Sequence, residues 1–340
     1  MIRRISVWLA LAIPALLLIG LLVLAWSVGT ASGMRAAWSI VGNALPGLTV
    51  ASLEGRLAGP LKIRELRYAD EYRELSVDSI DLDWLPTRLL GRSFRLENLQ
   101  IAGVKFTQLK PAPVNEDDTE FALPESIDLP VDLVLRNVAL WDIEFRSTPE
   151  GEPLEIDSVE ITASLLDQHL LVDALSVRGP LFGIRASSDA LTRDNFDSTT
   201  KIDWTAQPPE LAAAAGKLLI TGGLAELQIQ HSVSAPYSLE QSVTLKNILH
   251  AMSFDAQTRI ANLRLSEIGD NLPDLAFRGD IHGQGDVGNV NFDTTLQAES
   301  LSLGQFSLRA SGGIKDQVLA ISQLLLTGDD AMRLAAAGEV

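Results

Sequence analysis

The run GQGDVG sets Gly283, Gly285 and Gly288 at G-x-G-x-x-G spacing, the pattern that cradles a dinucleotide pyrophosphate. That chemistry requires the run to open a helix whose first amides face the phosphates. Here NVNFDTTLQAE follows, which alternates like a strand, and Asp286 would repel a phosphate, so the run reads as a hairpin turn. The four histidines, His169, His231, His250 and His282, never fall at metal-ligand spacing, and no H-E-x-x-H occurs. Each reads as a surface or hydrogen-bonded histidine. Acidic NEDDTE (Asn115–Glu120) lacks the loop spacing and glycine of an EF-hand and reads as a solvated run. Asp81 and Asp83 can share one strand face, as most surface pairs do, and nothing marks them as a glycosidase dyad. No G-x-S-x-G elbow is present, and Arg278-Gly279-Asp280 reads as a chance tripeptide. The absence of cysteine excludes disulfides, thiolate metal sites and cysteine nucleophiles. The residues therefore suggest no enzyme, no cofactor and no metal site.

What remains is a matter of surfaces. The chain has 340 residues, 46% apolar and 21% charged, and a net charge of −17. Such a composition folds. Its negative field repels nucleic acid and anionic head groups, and no basic stripe interleaved with aromatics offsets it.

The start is different in kind. From Ile5 to Met34 no residue is charged, and Arg3 and Arg4 precede that stretch. Its dense part, Ile5 to Val28, would rise about 36 Å as a helix against a hydrocarbon core of about 30 Å. Leu17 and Leu21 lie in its middle, and Trp8 and Trp26 sit near opposite ends, where interfacial aromatics belong. The arginines keep the N-terminus cytoplasmic. A cleaved signal peptide would have a shorter apolar region of about 7–15 residues. Residues 1–34 are thus expected to be an uncleaved transmembrane anchor.

Beyond it the apolar residues step by two, then three, then two. The step runs through Leu61, Ile63, Leu66 and Tyr68; Leu75, Val77, Ile80 and Leu82; and Phe94, Leu96, Leu99, Ile101, Val104 and Phe106. It returns at Leu133, Leu135, Val138, Leu140, Ile143 and Phe145, at Leu154, Ile156, Val159 and Ile161, and at Leu170, Val172, Leu175 and Val177. Near the end come Leu296, Ala298, Leu301, Leu303, Phe306 and Leu308, then Leu319, Ile321, Leu324 and Leu326. On a helix, offsets of 0, 2, 5 and 7 scatter around the axis, so no face collects them. On a flat strand the second pair would flip sides. One extra residue at each three-step, as a bulge supplies, returns it to the first side and bends the strand. The fold expected is mainly β: a long, curved antiparallel sheet whose inner face carries these residues. Charge falls outside, on Arg95, Glu97, Lys105, Asp142, Glu144 and Arg146. A β-sandwich or a β-solenoid would alternate too, and the pattern alone does not separate a filled core from an open trough.

Arg35–Gly47 reads as a short helix, Pro86–Ser93 as one helical turn stopped by Gly91, and Pro208–Gly216 as a helix opened by proline and closed by glycine. Pro236–Met252 fits helix or strand, and no inward face stands out over 236–270. Residues 111–130 are proline-rich and acidic, a linker or exposed loop. The organisation expected is an anchor over 1–34, the start of a β-trough over 35–110, the linker, and a continuing trough over 131–340. The closing MRLAAAGEV reads as an unfinished strand, as though a longer design continued.

The stretches LEGRLAGPLKIRELRY, IDLDW and LLGRSFRLENLQIAGV, following the anchor, resemble the start of TamB proteins in the AsmA-like group of bridge proteins. The resemblance covers roughly the first 110 residues and is looser beyond. It implies a sheet curled into a U-shaped trough with a greasy interior. It also implies movement of phospholipid between inner and outer membranes, and work with TamA, an outer-membrane barrel-assembly factor, in outer-membrane protein and autotransporter assembly. The family's C-terminal docking domain is not recognised in these residues, which is expected if the chain is a fragment or if another protein makes the outer-membrane contact. Localisation would be the inner membrane, single-pass, with the bulk in the periplasm. A chaperone adding strands of unfolded outer-membrane proteins to an open sheet edge is the alternative.

Overall fold

The computed structural model of the protein describes residues 29–110, 126–286, 288–300, 304–315, 318–328 and 333–339. The anchor expected over residues 1–34, with Arg3, Arg4, Trp8, Leu17, Leu21 and Trp26, lies almost wholly outside them. Among the described residues no helix is long and apolar enough to cross a membrane.

The chain divides into two compact units, residues 1–121 with 130–164, and 122–129 with 165–340. The first holds helix α1 (Ala31–Ala44) and strands β1 (Leu48–Gly55), β2 (Leu61–Ala69), β3 (Arg73–Trp84), β4 (Ser93–Gln108), β5 (Asp132–Arg146) and most of β6 (Leu154–Leu166). β1 through β4 pair antiparallel in chain order. β4 and β5, however, run parallel, which corrects the expectation of an antiparallel sheet throughout. A parallel neighbour needs a crossover of a dozen residues or more, and the proline-rich acidic stretch between β4 and β5 is that connection. The turn Pro86–Gly91 is a 3-10 helix, ended by Arg92 in the left-handed conformation.

The second unit is a meander of twelve strands, each pairing antiparallel with the next. They are β7 (His169–Gly179), β8 (Phe182–Leu191), β9 (Ser198–Ala206), β10 (Ala214–Gly222), β11 (Glu226–Ala235) and β12 (Ser238–Lys246), then β13 (Ser253–Arg264), β14 (Leu275–Asp286), β15 (Asn289–Ser300), β16 (Gly304–Lys315), β17 (Val318–Gly328) and β18 (Arg333–Glu339). A single helical turn, α2 (Leu265–Ile268), interrupts it. Residues 126–128 are tied to the β8–β9 turn: Ile127 N–H donates to the Thr192 carbonyl at 2.8 Å, and the buried Thr192 hydroxyl donates back.

One expectation fails here. Pro208–Gly216 is not a helix, because Ala214, Ala215 and Gly216 pair with Ala206, Thr205 and Trp204. Nine residues are too few to hold a helix against that ladder. The ambiguous Pro236–Met252 resolves as strand β12 followed by a turn. GQGDVG sits in the β14–β15 hairpin, with a strand after it as its alternation requires.

Candidate functional site

Four of the three-residue steps fall together. In the first unit the ladder omits Glu65, Asp78, Gly103 and Asp142, each facing the next across the strands. Glu65, Gly103 and Asp142 have φ of 50°, 68° and 55°. On β2, β4 and β5 a left-handed residue inside the step returns the following side chain to the same face, and Asp78 takes the matching place on β3. All four strands make the step at one level, so the register is kept and the extra residue is not a two-against-one bulge. True shifts of register occur elsewhere, between Asp83 and Trp84 and between Val172 and Leu175. An added Cβ on Gly103 would stand 2.2 Å from the Asp78 carboxylate, so glycine is required there.

Register then gathers the apolar residues into rows, because paired residues share a face. Leu66, Val77, Val104 and Ile143 form one row, Ile63, Ile80, Ile101 and Leu140 a second, and Leu61, Leu82, Leu99 and Val138 a third. Leu75, Phe106 and Phe145 continue the face, with the two phenylalanine rings stacked at 5.3 Å. Phe94 pairs with Leu133, and Leu96 with Trp84 and Leu135. Leu154, Ile156, Val159 and Ile161 lie on β6, where Leu154 is 54% exposed. Charge occupies the other positions: Lys105 and Arg146 both reach Glu144, Arg95 and Arg136 both reach Glu97, and Lys62 and Arg64 both reach Asp81.

The second unit sorts its residues in the same way. Ile220, Ile229 and Val243 stand in line, as do Val233, Leu239 and Ile260. Farther along, Phe292, Leu296, Phe306 and Leu308 take the same side, joined by Leu326. Leu301 and Leu303 lie outside the described residues. The opposite side carries Gln228, Gln230, Glu240, Arg259 and Asp280, with Arg259 bonded to Asp280 at 3.1 Å.

The apolar side has little over it. Among the described residues nine apolar side chains are buried, and in the second unit only Val233 is one of them, at 5% exposed. The rest of its apolar rows are half-buried, the state of a sheet face without a second layer. The first unit is covered at one end: Met34 of α1, 1% exposed, packs with Leu61 and Ile63, against which Val50, Leu53, Leu66, Ile80 and Leu82 lie.

Chemistry of other kinds finds little footing. His169 and His282 face Asp189 at 2.6 Å and Asp255 at 3.3 Å, His231 accepts from Trp204, and His250 lies in the turn after β12. Among the described residues no three His, Asp or Glu side chains gather to hold a metal ion. The acidic run 115–120 lies outside the described residues. The displaced ionisable groups lie away from the apolar rows. In the β2–β3 turn the Tyr72 N–H, helped by Arg73 and Tyr68, holds the Asp70 carboxyl down at about 2, and Asp70 in turn raises Arg73. Arg146 lowers Glu144, and the Gly288 and Asn289 amides lower Asp286 in the β14–β15 turn.

Sequence reasoning missed the apolar rows of β9 through β14. The signal was present: Leu227, Ile229, His231 and Val233, and Leu239, Gln241, Val243 and Leu245, alternate strictly by two. A search for the three-residue step passes over them.

The family model described as TamB, N-terminal domain, matches residues 20–150. That stretch takes in α1 and β1 through β5, so the N-terminal portion of the chain is TamB-like. No curated protein and no solved structure matches the chain.

Proposed function

We propose that the chain guides phospholipid along its apolar sheet face, as an inner-membrane-anchored, periplasmic, TamB-like bridge toward the outer membrane. The observation that carries this reading is a set of apolar rows in the second unit, half-buried and without a second layer, with His231, Gln241 and Thr258 standing between two of them. A fatty tail would complete that core. Each methylene taken out of water is worth about 0.8 kcal/mol, so carrying a two-chain lipid through water costs tens of kcal/mol. Sliding between equivalent rows costs little, because a tail leaving one row is already meeting the next. Twelve strands at about 4.8 Å spacing give the second unit about 50 Å of such a path.

Guidance of this kind needs no reaction centre. It needs a mainly apolar floor and polar flanks that leave head groups in water. Inner-membrane anchoring rests on residues 1–34, and a TamA-type outer-membrane partner rests on the TamB match. Mass spectrometry of the full chain purified from envelopes tests the reading: phospholipid should co-purify in near-stoichiometric amount. A lipid-free protein would refute it.

A further inference from the structure

One rim of the first unit's sheet carries charge of the opposite sign to the chain. It holds the β1–β2 turn, Arg56 to Pro60, and the connection from β3 to β4, Leu85 to Arg92. Neither contains an acidic residue, in a chain whose net charge is −17. Arg56, Arg88 and Arg92 are exposed and form no ion pair among the described residues, whereas Arg64, Arg73, Arg95, Arg136 and Arg146 of the same unit each reach a carboxylate. Beside these cations stand Leu89, 41% exposed, and Leu90, 92% exposed. One exposed leucine is ordinary, but two adjacent ones framed by unpaired arginines have the composition of a segment lying in a membrane interface. The exposure is built in. Leu85 N–H donates to the Arg95 carbonyl and Arg92 N–H to the Leu89 carbonyl, both at 3.0 Å, and Trp84 Nε1–H joins the two turns by donating to the Leu57 carbonyl at 2.6 Å. A Cβ added on Gly91, beside Leu90, would meet nothing.

The chain enters the sheet at this same rim. Met34, the fourth residue of α1, packs with Leu61 and Ile63 at the start of β2, and Leu57 of the β1–β2 turn lies against that cluster. The helix then runs to the opposite rim, where the Gly47 carbonyl accepts from Ala69 and Leu48 pairs with Tyr68. Thr30, whose hydroxyl accepts from the Gly33 amide at 3.0 Å and so caps α1, therefore stands on the side of the arginine-bearing turns. From Ile5 up to Thr30 the sequence is uncharged, so an anchor there delivers the chain to the membrane surface at this rim.

We infer that Leu89 and Leu90, with Arg56, Arg88 and Arg92, form a second contact with the bilayer from which the chain emerges. The leucines enter the boundary between head groups and acyl chains, and the arginines meet the phosphates of anionic lipid. Each basic residue at an anionic surface strengthens binding about fivefold. Directly behind the rim lie Phe94 with Leu133 and Leu96 with Leu135, so a lipid leaving the leaflet here meets apolar side chains at once. The inference rests on the anchored, lipid-guiding reading and adds where the sheet touches the membrane.

The chain has no cysteine, so a bimane label on Leu90→Cys reports on that position alone. The full chain is placed in vesicles of phosphatidylethanolamine and phosphatidylglycerol that carry a lipid nitroxide just below the head groups. Tyr72→Cys, in the β2–β3 turn at the opposite rim about 30 Å away, is the control. Quenching at residue 90 should be about threefold or more that at residue 72, since side chains of interfacial segments lie about 5–10 Å into the head-group boundary. Arg56→Glu with Arg88→Glu should bring quenching at 90 down to the level at 72, and so should high salt without any substitution. Equal quenching at the two positions, or quenching at 90 that survives both charge reversal and high salt, overturns the contact and leaves the anchor and lipid guidance standing. A chain that does not enter the vesicles overturns the anchor and the contact with it.

Discussion

Replacing Ile229 by aspartate puts one charge in the middle of an apolar row, between Ile220 and Val243. A carboxylate with its water covers the footprint of roughly four methylenes. At about 0.8 kcal/mol for each, a passing acyl chain forfeits about 3 kcal/mol of burial there. Movement past the site should slow by about 100-fold. The fold should tolerate the change, since Ile229 is only half-buried, and the loss of stability should be about 1–2 kcal/mol. Gln230→Asp provides the control, one residue along β11 and therefore on the opposite face. It should change transfer less than about twofold, within what a surface substitution does. The assay follows labelled phospholipid from inner to outer membrane in cells with matched levels of each variant. Equal slowing by both substitutions, or normal transfer with Ile229→Asp, would refute the reasoning. Leu99→Asp and Ile101→Arg in the first unit should behave as Ile229→Asp does.

Gly103→Val forces a side chain onto a residue at φ 68° and into the Asp78 carboxylate; a loss of about 2–3 kcal/mol is expected in denaturant unfolding, partly recovered by adding Asp78→Gly. Met34→Ala should cost about 2–4 kcal/mol, because Met34 is the most buried side chain where α1 meets β2. The Asp70 carboxylate accepts from the Tyr72 and Arg73 amides at 2.8 and 2.9 Å, and its pKa falls from an ordinary 3.8 to about 2. A lowered folded-state pKa means the ionised form favours the fold. Its contribution is therefore full above about pH 4 and lost as pH falls through about 2. Amide exchange in the β2–β3 turn should accelerate across that window in the natural chain and show no such step in Asp70→Ala.

Much of this architecture could be read before any coordinates. The two-three step at Phe94–Phe106 demanded extra residues returning each pair to one face; Gly103 is the one between Ile101 and Val104, and a shift of register opposite Trp84 accounts for the one between Leu96 and Leu99. The sequence did not reveal that neighbouring strands make the step together, since register is a property of pairs. Nor did it reveal that β4 and β5 run parallel: a row such as Ile101 and Leu140 forms equally well in either direction. Pro208–Gly216 misled because its proline, alanines and glycine satisfy the local rules for a helix, while pairing with β9 is non-local. His231 reads as a surface or hydrogen-bonded histidine, and it accepts from Trp204. Only the ladder places it, with Gln241 and Thr258, among apolar neighbours.

Photocrosslinking in living cells tests the central claim most directly, with a photoreactive residue at Ile143 or Ile229 and, one position along, at Glu144 or Gln230. The first two stand in apolar rows; Glu144 pairs with Lys105 among the charges, and Gln230 with Ser242. Phospholipid adducts should form at Ile143 and Ile229 and be scarce at Glu144 and Gln230. Adducts to polypeptide in place of lipid at the isoleucines, or lipid adducts equally abundant at all four positions, would contradict the account.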